Sequence, residues 1–173
     1  NPFHEQVSLN EWPGGTPTLK VEGTEINVEP VVREDGRLVY YLFGTVDLDT
    51  GDDVAVYEGE TLVRELTVAS LGVTNITDSV ISGFTAPEVG EMFVGADSDD
   101  GGAWRRVGPT SGVWTADMSA EVPPEYGEGT FTIDKTHMWR LYIGVPDDDG
   151  DATIYSTPGS MPGLFAAPQY GQI

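Results

Sequence analysis

The chain has 173 residues, no cysteine, and 29 Asp and Glu against 8 Lys and Arg, for a formal net charge of −21 at pH 7. That length suits one large β-domain or two small ones with real cores, and the missing cysteine excludes a disulfide framework and any thiolate nucleophile or metal site. So few cations exclude a basic nucleic-acid surface and disfavour anionic membranes. The acidity suits an ordinary self-repelling acidic protein or, with only Lys20 and Lys135 as lysines, a saline habitat, where screening shortens the reach of self-repulsion. No run is long enough to span a bilayer, and NPFHEQVSLNEWPGG has neither the basic nor the apolar region of a signal peptide.

Residues 1–17 carry Pro2, Pro13, Gly14, Gly15 and Pro17, a density that stops regular structure. Phe3 and Trp12 among them make this an arm that docks on its own domain or on a neighbouring subunit. Thr18–Glu22 alternates as a strand. Glu25–Arg33 reads as a second, an edge or bulged one because Pro30 cannot donate to a ladder. Leu38–Phe43 is apolar on both faces, as in a strand covered on both sides. Asp47–Asp53 turns the chain, and Glu58-Gly59-Glu60 closes a hairpin whose first strand points Val54 and Val56 one way and Ala55 and Tyr57 the other. In the return strand Arg64 falls on the otherwise apolar face, which predicts a bulge or an arginine snorkelling at an edge.

The stretch GTVDLDTGDDVAVYEGETLVRELTV, residues 44–68, resembles the middle of immunoglobulin-like β-sandwich domains of bacterial and archaeal surface proteins and tailed-virus structural proteins. The resemblance spans about a third of the chain, and later strands at Val80–Phe84 and Glu91–Ala96 would complete it. It lacks the cysteine pair and the central tryptophan of antibody domains, so what it implies is the sandwich architecture and a scaffolding or adhesive role.

Asp97–Gly102 (DSDDGG) clusters acid and glycine between apolar segments and is the expected boundary. The division is then an N-terminal arm at 1–17, a β-sandwich core at 18–96, a second β-rich half at 103–156 and a C-terminal arm at 157–173. In the second half, Ala103–Val107 and Gly112–Ala116 would pair as a hairpin around Gly108-Pro109, and Thr130–Asp134 alternates with Phe131 and Ile133 inside. Next, His137–Val145 presents Trp139, Leu141 and Ile143 on one face, and Ala152–Ser156 is a short final strand. The segment 157–173 has no charged side chain but carries Met161, Leu164, Phe165 and Tyr170, which is unlike a solvated tail. The fold class is all-β: an immunoglobulin-like or jelly-roll-like sandwich, one domain or two small ones, with extended arms.

Three groups of residues are candidates for a site. The acidic turns, with Asp47, Asp49 and Asp52, Asp97 and Asp99, and Asp147, Asp149 and Asp151, offer the alternate carboxylates that a hard cation such as Ca²⁺ takes, though none has EF-hand spacing. Solvated Asp/Gly turns are the plainer explanation. Trp104, Trp114, Trp139 and Tyr142 could stack on sugar rings, the plainer explanation being that Trp114 and Trp139 are core. Phe3, Trp12, Met161, Leu164, Phe165 and Tyr170 could bind a partner. Asn75-Ile76-Thr77 is an N-glycosylation sequon. No nucleophile elbow, zincin helix or phosphate loop occurs, so the chain reads as non-enzymatic; paired carboxylates of a hydrolase would be uninformative in so acidic a chain. The expected function is a self-associating structural subunit of a virion, a capsid decoration or tail component assembling through its arms with neighbouring subunits. The alternative is a secreted carbohydrate- or surface-binding module, with calcium as a stabilising ion.

Overall fold

The computed structural model describes residues 6–9, 12, 15–42, 44–134, 139–146 and 152–159. Every described element is a strand, and all pairings are antiparallel. Among the described residues no helix is long and apolar enough to cross a membrane. The chain forms two compact units, Asn1–Val68 and Ala69–Ile173.

The first unit holds β1 (Gln6–Leu9), β2 (Thr18–Val21), β3 (Thr24–Glu25), β4 (Val31–Val32), β5 (Leu38–Tyr41), β6 (Asp53–Glu58) and β7 (Thr61–Thr67). They make one sheet of order β1-β5-β4 and another of order β3-β2-β6-β7. Period-two alternation turns Leu9, Leu38, Tyr40, Leu19, Val21, Val54 and Val56 into one buried cluster between them. The stretch expected as one strand around Pro30 is instead two fragments in different sheets, β3 on β2 and β4 on β5. The expected arm contributes β1, paired with β5. Gly59, at φ +62, opens the two-residue turn joining β6 to β7. The ladder slips between Val56 and Tyr57, leaving Val63 unpaired. This is the bulge that Arg64 announced, and it lies on an edge strand.

The second unit holds β8 (Leu71–Ile76), β9 (Val80–Thr85), β10 (Met92–Ser98), β11 (Gly101–Val107), β12 (Val113–Asp117), β13 (Gly127–Glu128), β14 (Trp139–Pro146) and β15 (Ala152–Gly159). A five-stranded sheet, β13-β11-β10-β14-β15, packs on a three-stranded one, β12-β9-β8. Between them lies a core built from Ile81, Met92, Val94, Trp114, Trp139, Leu141 and Ile143 with their neighbours. This is a β-sandwich, as the alternating pattern required. Asp97–Gly102 is the hairpin connection between β10 and β11, not a break between units. The expected hairpin of 103–107 with 112–116 does not form: β11 pairs with β10 and β13, whereas β12 crosses to the other sheet and pairs with β9. Thr130–Asp134 joins no ladder, although Ile133 is buried as expected and is held by Ile133 N–H donating to the Asp78 carbonyl at 2.7 Å.

Arg105 organises the irregular segment 118–129. On β11 it shares the inward face with Ala103 and is 4% exposed. Among the described residues its guanidinium meets no carboxylate at hydrogen-bond distance. Instead Nε donates to the Asp117 carbonyl at 2.9 Å, and Nη1 to those of Trp104 and Glu128 at 2.7 and 3.1 Å. Nη2 donates to the carbonyls of Met118, Ala120 and Gly129 at 3.0, 2.6 and 2.9 Å. Six carbonyl dipoles converge on one charge, as they would on a bound cation. Burial pulls this guanidinium's pKa down and the nearby Asp117 charge opposes that. The result closes the end of the core over Met118, which is fully buried.

Candidate functional site: an aromatic face on the five-stranded sheet

The outer face of the five-stranded sheet gathers more aromatic surface than alternation alone would give. On β10 and β14 the sequences Phe93-Val94-Gly95 and Tyr142-Ile143-Gly144 run antiparallel, so Phe93 stands opposite Gly144 and Gly95 opposite Tyr142. Each ring lies over the glycine across from it. A Cβ on Gly95 would stand 1.9 Å from Tyr142 Cζ and 2.3 Å from its Oη; one on Gly144 would stand 1.9 Å from Phe93 Cζ. A side chain at either position would displace the ring that now lies on the backbone there.

Trp104 on β11 is the other neighbour of Gly95. In register order the row reads Glu128, Trp104, Gly95, Tyr142, Ser156. The next row reads Arg106, Phe93, Gly144, Ile154. Phe93, Trp104 and Tyr142 are half-buried, and Ile154 is 60% exposed. The Arg106 N–H donates to the Tyr126 carbonyl at 2.8 Å, which carries the β11–β13 ladder on to the exposed Tyr126. Trp104, Phe93, Tyr142 and Ile154 thus place apolar side chains on four adjacent strands, β11, β10, β14 and β15.

Charges border it in pairs. Arg140 Nε and Nη2 donate to the two carboxylate oxygens of Asp97 at 2.8 and 3.2 Å, and Arg106 lies 3.5 Å from Glu91. Hydrogen bonding to Asp97 raises the Arg140 pKa. Burial pushes the Tyr142 phenol up, and Asp97 adds to the rise while Arg140 opposes it. Like any tyrosine phenol, it is protonated at neutral pH and available as a hydrogen-bond donor. Flat π-faces next to a hydroxyl donor and paired charges suit a ligand with an apolar face and polar edges.

Trp104 and Tyr142, grouped on sequence, do share this face. Trp114 does not: it is 2% exposed, donates its indole N–H to the Phe84 carbonyl at 3.0 Å, and sits over Gly83 inside the core. It cannot reach a ligand. Phe93 and Ile154 were missed, although the reciprocal aromatic-x-Gly tripeptides were a usable signal.

Neither described acidic turn gathers a set of cation ligands of its own. Asp97 is held by Arg140, so a cation would have to displace the arginine. Asp99 is exposed in the hairpin turn, Asp47 is exposed, and Asp52 accepts from the Asp49 N–H at 2.8 Å. Among the described residues no three His, Cys, Asp or Glu side chains converge as a metal site would require. Asp147, Asp149 and Asp151 lie outside the described residues, as do Phe3, Met161, Leu164, Phe165 and Tyr170. Trp12 is half-buried against the core of the first unit, its indole nitrogen without a hydrogen-bond partner among the described residues. Asn75 is exposed on the edge strand β8, and the Thr77 hydroxyl accepts from the Val80 N–H at 2.9 Å.

No protein-family model matches the chain, and no curated protein matches it.

Proposed function

We propose that the chain is a non-enzymatic, extracellular recognition module whose five-stranded sheet binds carbohydrate. The observation that carries this reading is the pair of rings laid over Gly95 and Gly144 beside Trp104, all on one outer face. Pyranose rings offer flat arrays of C–H groups that pack on aromatic faces, while the phenol and the bordering ion pairs meet hydroxyls. The immunoglobulin-like scaffold inferred from residues 44–68 fits such an adhesive role. Its acidity fits surroundings of high ionic strength, where a charge of −21 is screened. The experiment is binding to a panel of immobilised glycans by the protein and by Trp104→Ala. Retention of the protein on at least one glycan, lost in the variant at unchanged melting temperature, is expected. No retention on any glycan would contradict the reading.

A second reading, a virion structural subunit, draws on the absence of any charged side chain in 157–173 of so acidic a chain. A neutral segment is the part of such a molecule that can join copies without charge repulsion. Light scattering separates the two: this reading requires a multimer that dissociates when 161–173 are deleted, and a monomer in both cases rules it out.

A further inference from the structure

Two rings of the aromatic face lie down over glycines instead of standing off the sheet, and this has a structural cause. Phe93, Gly95, Tyr142 and Gly144 occupy four of the six outward positions where β10 and β14 meet, the other two being the ion-paired Asp97 and Arg140. In each of the two aromatic–glycine pairs one member has no side chain and the other lies down over it. The register of these two strands is unbroken from Phe93 opposite Gly144 to Asp97 opposite Arg140. Slips occur elsewhere, in β6–β7 and β8–β9. On these two strands no side chain rises between the rings to form a wall.

A soluble oligosaccharide is gripped best by a concave site that buries most of its surface. An open plane contacts one side only, and a free chain must also lose its conformational freedom on landing there. A polymer already packed into a sheet has lost that freedom and presents its C–H faces as a plane. The charge argument is independent of shape. The body carries −21, and the two arginines that border the rings already face Glu91 and Asp97. A polyanion would be repelled at long range and find those cations matched at short range.

Resting on the reading that this face binds carbohydrate, we propose that its ligand is the planar surface of an insoluble, uncharged polysaccharide of β-linked pyranoses, and not a free soluble chain. The test compares depletion of the protein from solution by microcrystalline cellulose and by chitin particles with titration against the corresponding soluble hexasaccharides and against polygalacturonate. The expected result is depletion by at least one insoluble polymer, with soluble hexasaccharide at least about tenfold weaker and no binding to polygalacturonate. Trp104→Ala and, separately, Ile154→Ser should each weaken depletion with unchanged melting temperature; depletion unaffected by both overturns the proposal. Hexasaccharide bound as tightly as the solid, or polygalacturonate bound at all, also overturns it and leaves the carbohydrate reading standing. Absence of binding to every carbohydrate tried overturns both.

Discussion

Tyr142 lies over Gly95 so closely that a methyl group at position 95 would occupy the volume of its phenol ring. The relationship is a packing one with a testable energy. Gly95→Ala must push the ring off the sheet or bend the strand, and overpacking of this kind costs about 1–3 kcal/mol. Removing the ring as well, in Gly95→Ala with Tyr142→Ala, should recover part of that loss, because the clash and the ring disappear together. Urea denaturation of the four proteins in the cycle measures it. Strictly additive losses would show that the ring and the glycine do not depend on each other.

Arg105 should be the most sensitive single polar residue of the second unit. Arg105→Lys keeps the charge, but three ammonium donors cannot serve six carbonyls spread over 104–129. Arg105→Met leaves those carbonyls without a donor. We expect roughly 3 kcal/mol or more from the methionine variant and a smaller loss from lysine, with increased amide exchange across 118–129. A variant as stable as the parent would mean that water replaces the guanidinium.

Alkaline pH should weaken the first unit through Tyr40. Burial raises its pKa above the ordinary 10.0, and the phenol donates to the Pro17 carbonyl at 2.7 Å, a bond that only the neutral form makes. The folded-state pKa is the higher one, so the stabilisation is complete below the unfolded-state value and is lost as pH rises through the folded one. Denaturation midpoints should therefore fall more steeply above about pH 10 in the parent than in Tyr40→Phe. Parallel curves would remove Tyr40 as the cause.

Salt should stabilise the chain. The excess of acid over base leaves a net repulsion that added electrolyte screens, and the ion pairs of Arg37, Arg106 and Arg140 each include an arginine whose side chain is at least 49% exposed. Such pairs contribute little to stability, so screening them loses little. The melting temperature should rise from low to molar NaCl; a flat or falling curve contradicts this.

Alternation made much of the fold readable. The inward set of β6 and of β14 follows period two, and Arg64 marked the bulge because it broke that period. Pairing was less readable, since adjacency in sequence is only a prior for adjacency in a sheet. Gly108-Pro109 resembles a hairpin turn, yet the chain there passes from one sheet to the other. The turn it does make is further on, where Ser111 and Gly112 adopt φ of 51 and 76°. Asp97–Gly102 misled for a related reason, because acid and glycine suit a tight turn as well as a linker. Of the aromatic face, Trp104 and Tyr142 were legible as residue types. Their meeting required the register that sets Gly95 between them, and Trp114 differed from Trp104 only in which way its strand turned it.

Binding at this face centres on the solvent side of Gly95. Affinity of the protein for its best glycan surface should be compared with that of Trp104→Ala/Tyr142→Ala, each monitored for its melting temperature. The double variant should lose at least about 2–3 kcal/mol of binding while keeping a folded, cooperative melt. Unchanged affinity in a folded double variant would contradict it.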